Sequence, residues 1–211
     1  VKCFCCHSAE LCIKFKKEIM KKLMTLVIAF TFAMTANAQT QTWNVDPAHS
    51  FLTFSIKHLG ISFVEGKFDQ YQGTLKMTGE DVMTAKFDFS IDVNSINTGV
   101  EARDGHLKSA DFFDAAQFGK ITFKQTSIKK VKKDQYRLVG DLTIKNVTKS
   151  VTFDLVYGGK IDNDGFGNQK VGFQATTTIN RFDFGVAYDP TGQAVAKEVN
   201  IAVNLEFAKQ K

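Results

Sequence analysis

The chemistry-bearing residues of this chain are few, and their spacing argues against a catalytic centre. All four cysteines, Cys3, Cys5, Cys6 and Cys12, precede residue 13 and lie close to His7. Thiolate and imidazole together suit a soft metal, but Cys-x-Cys-Cys matches no closed zinc spacing. The other histidines, His49, His58 and His106, lack HExxH or CxxC companions, so they form a three-histidine site only if the fold gathers them. Asp46, His49 and Ser50 are the residue types of a nucleophile relay. Such relays are defined by spatial roles rather than nearness in sequence, and a turn after Pro47 sets the geometry of these three. Asp162-Asn163-Asp164-Gly165 begins like a calcium loop, yet its twelfth position holds Phe173 where a bidentate Glu is needed. A hairpin turn is the better reading. No catalytic residue, metal or cofactor is expected, and an enzyme is the weakest of the function classes.

The residues ahead of the folded domain account for the cysteines and most of the charge. Met20-Lys21-Lys22 is a short basic region, Leu23 to Ala36 is apolar, and Ala36-Asn37-Ala38 is a small-x-small cleavage site. Together these describe a secretory signal peptide over 20–38. The apolar run is shorter than the ~20 residues that cross a bilayer, so no stable membrane span is expected after cleavage before Gln39. Residues 1–19 precede a well-formed initiator at Met20 and read as a mis-assigned upstream extension. Residues 39–211 are then a single exported domain without cysteine, held by its core alone. Six lysines and two glutamates fall before Gln39, so the formal charge of +5 belongs mostly to the leader. Nothing in the remainder favours nucleic acid or an anionic membrane.

From Trp43 to Phe207 the dominant pattern is period two. Leu52, Phe54 and Ile56 alternate with Thr53, Ser55 and Lys57; Phe87, Phe89, Ile91 and Val93 alternate with polar residues; Val199, Ile201, Val203, Leu205 and Phe207 close the series. Such alternation makes strands with one wet and one buried face, which are antiparallel. Eight strands are expected, at 49–58, 62–78 with a bulge near Gly66, 85–94, 119–131, 135–145, 148–160, 169–181 and 195–208. One stretch breaks the period. Thr98 as N-cap with Glu101 three residues on is a capping box, predicting a short helix near 99–109 despite Gly105. Eight antiparallel strands and one helix predict an all-β closed barrel with a lid or plug. Sixteen of the twenty Phe lie beyond the leader, many on inward positions. A barrel of this size is either filled by side chains or holds one small ligand. Small residues at Gly73, Gly140, Ala175 and Thr177 favour a cavity.

Several motifs then occur in order. Trp43-Asn44-Val45-Asp46-Pro47-Ala48-His49-Ser50 leads to Phe54-Ser55-Ile56-Lys57-His58-Leu59-Gly60. They are followed by Arg103-Asp104-Gly105-His106-Leu107-Lys108-Ser109-Ala110-Asp111-Phe112-Phe113-Asp114 and Ile121-Thr122-Phe123. Gly140-Asp141-Leu142-Thr143-Ile144 and Ile179-Asn180-Arg181-Phe182-Asp183-Phe184-Gly185 complete the set. Over roughly Thr42 to Phe207 the chain resembles the YceI-like family of periplasmic polyisoprenoid-binding proteins. The resemblance implies an eight-stranded antiparallel up-and-down lipocalin-like barrel in the periplasm, whose apolar tunnel holds a polyisoprenoid or an isoprenoid quinone. The tunnel would be lined by Leu52, Phe54, Ile56, Phe87, Phe89, Ile91, Phe123, Leu138, Leu142, Phe153, Leu155, Phe173, Ile201 and Val203. His58, Arg103, His106 and Arg181 are candidates for a head group at the mouth, against the alternative that the arginines pair with Asp104, Asp111 or Asp183. Gly105 within the helix motif and Phe182 in the Asn-Arg motif depart from the family pattern and bear on the mouth. Closure of the barrel leaves a homodimer allowed but unforced. A second function class is a non-catalytic stress or surface-interaction protein using a filled barrel as scaffold.

Overall fold

The computed structural model describes residues 15–21 and 39–210. The chain divides into two units, residues 1–38 and 39–211. In the first, residues 15–21 are helical, with Lys21 Nζ 3.4 Å from Glu18 Oε1. The four cysteines, His7, the apolar run and the cleavage site lie outside the described residues. No helix among the described residues is long and apolar enough to cross a membrane.

The second unit contains eleven strand segments. They are β1 (Thr40–Val45), β2 (Phe51–His58), β3 (Ser62–Phe68), β4 (Tyr71–Thr78), β5 (Asp81–Asp92), β6 (Ile96–Asn97), β7 (Lys120–Lys132), β8 (Gln135–Ile144), β9 (Val147–Ile161), β10 (Lys170–Asn180) and β11 (Val195–Lys209). Breaks in otherwise continuous strands explain the excess over eight. β1 and β2 lie end to end along β11, separated by the turn at Pro47. β3 and β4 pair with β2 and β1 in the same way, and β5 runs through the 3-10 turn Val93–Ser95 into β6, which pairs with β3. The order β1-β4-β5-β7-β8-β9-β10-β11 returns to β1, every pairing antiparallel. The result is the expected eight-stranded, closed up-and-down barrel.

Three local expectations are corrected. The strand expected at 49–58 is only the second half of its strand; β1 precedes it, with Trp43 wholly buried. No bulge occurs at Gly66, which pairs in register with Phe54. Its missing side chain instead leaves room for that ring, since a Cβ there would lie 2.3 Å from Phe54 Cζ. The helix forms at Glu101–Lys108, but Val100 is its N-cap and no side chain caps it. Thr98 is unavailable because the Asp104 carboxylate accepts both its N–H, at 2.9 Å, and its hydroxyl, at 2.5 Å.

The wall is not paired along its full height. β5 and β7 are in register only from Asp88 to Asp92 and from Lys120 to Lys124. Where the ladder stops, the Gln125 side chain substitutes for backbone, its Oε1 accepting from Phe87 N at 3.0 Å. Beyond that point β7 carries Lys129, Lys130 and Lys132, charges of the kind that keep a free edge from pairing with another chain.

Apolar residues fill one end of the barrel. Trp43, Leu75, Met77, Val171, Phe173 and Phe207 are all at most 2 % exposed. Phe173 meets Phe87 edge to face at 5.1 Å and Phe207 at 6.2 Å, and Tyr157 adds a tilted contact at 5.3 Å. Edge-on aromatic contacts add to simple area burial, so this end is well packed.

Candidate functional site

The other end is hollow. An apolar cavity of about 200 Å3 extends from the packed rings toward the helix Glu101–Lys108 and the 3-10 turn Arg181–Phe184. Its walls come from alternate residues of several strands: Leu52, Phe54 and Ile56 on β2, Phe87, Phe89 and Ile91 on β5, Phe123 on β7, Leu138 and Leu142 on β8, Phe153 and Leu155 on β9, and Ile201 and Val203 on β11. Phe173 lies outside that lining. It has the right face but sits too far along β10, where Phe87 and Phe207 engage it. Leu107, Phe112 and Phe113 cover the cavity from the helix and the turn after it, and Phe184, Val186 and Val195 from the connection between β10 and β11. Helix and connection meet through rings: Phe112 and Tyr188 stack at 4.6 Å, and His106 abuts each of them at 5.0 Å.

Glycines open this cavity indirectly. A Cβ at Gly73 would lie 2.3 Å from the Phe89 ring, and one at Gly140 would lie 2.3 Å from the Phe123 ring. Each ring therefore lies flat against the bare backbone of the neighbouring strand. A side chain at either glycine would push the ring into the lumen. Ala175 lines the cavity as expected for a small residue; Thr177, on the same inner face and paired with Ile201, lies outside the lining and spends its hydroxyl on Thr152 O at 2.8 Å.

Among the described residues that line the cavity, Thr53 and Arg181 alone have polar side chains. The Thr53 hydroxyl donates to Ala202 O at 2.9 Å. Arg181 is 4 % exposed and donates to four backbone carbonyls: Val186 at 2.7 Å, Val195 at 2.8 Å, Ala196 at 2.9 Å and Asp189 at 3.4 Å. Its guanidinium also stacks on Phe182, 4.4 Å from the ring centroid. Burial lowers its pKa, with the Asp189 charge opposing. Asp183 is not its ion-pair partner; the fork is spent on tying the β10–β11 connection to the barrel rim.

The remaining mouth candidates do not converge. Arg103 turns back to Thr98, donating to its hydroxyl at 2.8 Å and its carbonyl at 2.9 Å, so neither Asp104 nor Asp111 pairs with it. His106 Nε2 lies 2.9 Å from Asp111 Oδ2. His58 is half-buried, pairs with Val195 across the β2–β11 ladder, and makes no side-chain hydrogen bond among the described residues. Of the four, Arg181 alone reaches the cavity.

A second cluster lies on the outer wall of the packed end. Asp46, His49 and Glu206 place their ligand-type atoms within 4.8 Å of one another. The Lys170 ammonium already occupies their centre, 2.5 Å from Asp46 Oδ2 and 2.7 Å from Glu206 Oε1. The hydrogen bond from Lys170 and that from His49 hold the Asp46 carboxyl at about 2 despite burial. Burial lowers the Lys170 pKa, but its bonds to Asp46 and Glu206 outweigh this and leave it raised. Ser50 completes no relay with His49, because its hydroxyl donates to Glu206 O and accepts from Glu206 N. His49, His58 and His106 are not brought together. The Asp162–Asn168 segment is a self-contained turn in which Asp164 and Asn163 accept backbone N–H groups.

A closed antiparallel barrel, packed at one end and hollow and apolar at the other, is the construction of lipocalin-like binding proteins. The chain belongs to the YceI-like family: residues 43–207 match the YceI-like domain. It is 42 % identical over 167 residues to UPF0312 protein SA2479 of Staphylococcus aureus, covering 77 % of this chain and 95 % of the relative. Among solved structures it is similar to Burkholderia cenocepacia BcnA, with TM-score 0.69 and 25 % identity over 77 % of this chain and 98 % of that one. Similarity to a Campylobacter jejuni YceI protein gives TM-score 0.67 and 31 % identity over 74 % and 90 %. A polyisoprenoid binding domain from Saccharophagus degradans shares the fold, with TM-score 0.63 at 16 % identity over 82 % and 100 %. The family and fold are typical of periplasmic, non-catalytic binding proteins.

Proposed function

We propose that the protein is exported to the periplasm, where it binds, stores or carries a long-chain polyisoprenoid, of quinone or polyprenyl type, in the hollow half of its barrel. The observation that carries this is the cavity's lining, hydrocarbon apart from Thr53 and Arg181. Each buried methylene is worth ~0.8 kcal/mol, so a five-carbon unit gains about 4 kcal/mol before ordering costs. A dry cavity of ~150 Å3 with such walls suffices for an aromatic hydrocarbon. The space here is larger, and water inside it would find few hydrogen-bond partners. The fold shared with a polyisoprenoid binding domain is compatible with the same ligand class. No catalytic role is assigned to Asp46, His49 or Ser50, which are engaged in backbone and ion-pair contacts on the outer wall of the packed end. The alternative of a filled barrel used as scaffold asks for a packed interior, which only one end has.

Organic extraction of protein purified from its native compartment, followed by mass spectrometry, is the test. An isoprenoid released in near-stoichiometric amount is the expected result. An empty extract, together with no uptake of added isoprenol, would overturn the proposal. Mass spectrometry of the secreted polypeptide would also show whether it begins at Gln39.

A further inference from the structure

Among the described residues, the hairpin between β2 and β3 is the place at the hollow end where three large apolar side chains close in sequence are exposed. Leu59 is 57 % exposed, Ile61 86 % and Phe63 59 %. A tight turn of this kind favours Asn, Asp or Gly, because its corner residues take positive φ. Here Leu59 occupies such a corner at φ 50°, beside Gly60 at 73°. The β7–β8 hairpin, one of those at the packed end, differs: its tip is Lys132-Lys133-Asp134, and Asp134 holds the positive φ of 56°. An apolar tip is therefore not a requirement of the turn. The tip is also anchored to the cavity's own wall. Leu59 N donates to Ala194 O at 2.9 Å, His58 pairs with Val195, and both Ile56 and Val195 line the cavity just inside. On the outer face Phe63 stands directly across from Lys57, an apolar group beside a long cation whose stem can lie on lipid with its head in water.

We propose that this tip inserts Leu59, Ile61 and Phe63 into the surface of a lipid bilayer and so presents the hollow end to the phase that holds its ligand. The proposal rests on the lipid-binding reading above. A polyisoprenoid is nearly insoluble in water, and a barrel that docks by its hollow end shortens the ligand's aqueous path. Three side chains make a weak contact, which suits a carrier that must leave again.

The full chain contains a single tryptophan, Trp43, which is wholly buried. A tryptophan introduced by Ile61→Trp reports on the tip, and Val131→Trp, at a site 58 % exposed on β7, reports on the opposite end. With vesicles of brominated phosphatidylcholine, the Ile61→Trp signal is expected to be quenched and shifted to the blue, while Val131→Trp matches solution. Equal response at both sites, or none at either, overturns the proposal. A blue shift of Ile61→Trp that grows with protein concentration without vesicles would assign the tip to a second copy of this chain, which also overturns it. The double variant Ile61→Ser with Phe63→Ser should take up isoprenol from vesicles roughly tenfold more slowly, yet bind isoprenol added from ethanol as wild type does. Wild type that binds isoprenol by neither route removes the ligand reading; binding by both routes at the variant's rate removes only the docking.

Discussion

At the packed end of the barrel, Phe87, Phe173 and Phe207 meet with ring centroids 5.1 to 6.2 Å apart and close the interior. At the hollow end, Phe123 and Phe153 make a similar contact at 5.3 Å, yet they line open space. Residue type is the same; what differs is the partner across the strand. Phe54, Phe89 and Phe123 each lie over a glycine, Gly66, Gly73 and Gly140, and so recede into the wall. A barrel thus keeps a cavity without surrendering aromatic burial, by thinning the wall where a ring can lie flat. The packed end supplies rigidity, and the hollow end forgoes the dispersion contacts that close packing gives.

That contrast sets the largest expected effect. Phe207→Ala at the packed end leaves a void among rings that cannot collapse and should cost about 3–5 kcal/mol in urea unfolding. Phe153→Ala borders space that already exists and should cost under about 2 kcal/mol. Equal losses would mean that the hollow end is filled in solution.

Next comes the ion cluster on the packed wall. Lys170→Met leaves Asp46 and Glu206 facing each other without their cation. Their side chains keep 20 % and 36 % exposure, so solvent screens part of the loss and about 2–3 kcal/mol is expected. The same variant should change the acid limb. Asp46 is held at about 2, below its ordinary value of 3.8, so its contribution is present at neutral pH and is lost as pH falls from about 4 to about 2. Lys170 is raised, so its contribution is present below the ordinary lysine value and is lost as pH rises past its folded value. Thermal unfolding across pH should show a shallower acid limb in Lys170→Met; an unchanged limb would mean that Asp46 is not the group responsible.

A smaller effect is expected from Gly140→Ala. Its Cβ would fall 2.3 Å from the Phe123 ring and 2.7 Å from Lys124 O, so ring and backbone must both shift, at about 1–2 kcal/mol. The displaced ring enters the lumen, and isoprenol uptake should fall along with stability. Uptake at the wild-type level would show that the glycine serves folding and not the cavity.

How much of this was legible beforehand follows from the period of each element. Alternation places Phe89, Leu142 and Ile201 on the inner face because a strand's side chains have no third choice. It says nothing about height along the barrel, so alternation alone cannot separate Phe173, which belongs to the plug, from the residues that line the cavity. Leu107, Phe112 and Phe113 line the cavity without a sequence signal, because the segment after Thr98 has no period to read. The roles of Arg103 and Arg181 were open for a similar reason: an arginine's partners are set by tertiary geometry, and here they are backbone carbonyls and a threonine hydroxyl. Gly73 and Gly140 carried a usable signal, small residues on an inward face, but the rings that occupy their place come from other strands. The β1 segment is hidden in the sequence because Asp46 and Pro47 interrupt its strand before alternation has run for more than a few residues.

The smallest change in stability is expected from converting the hollow end toward the packed one. Ala175 is buried on β10 and faces the cavity between Leu155 and Val203, its cross-strand neighbours. Ala175→Leu adds three carbons to space that is already apolar, so the gain from burial and the cost of imperfect fit nearly offset, and urea midpoints should move by less than about 1 kcal/mol. Ligand behaviour should move the other way, because every carbon added to the wall takes the place of one on the chain. Co-purified isoprenoid, measured after organic extraction, is expected to drop severalfold while the fold is untouched. A loss above about 2 kcal/mol would show that Ala175 faces closely packed atoms, and the division of the barrel into two ends would then need redrawing at β10.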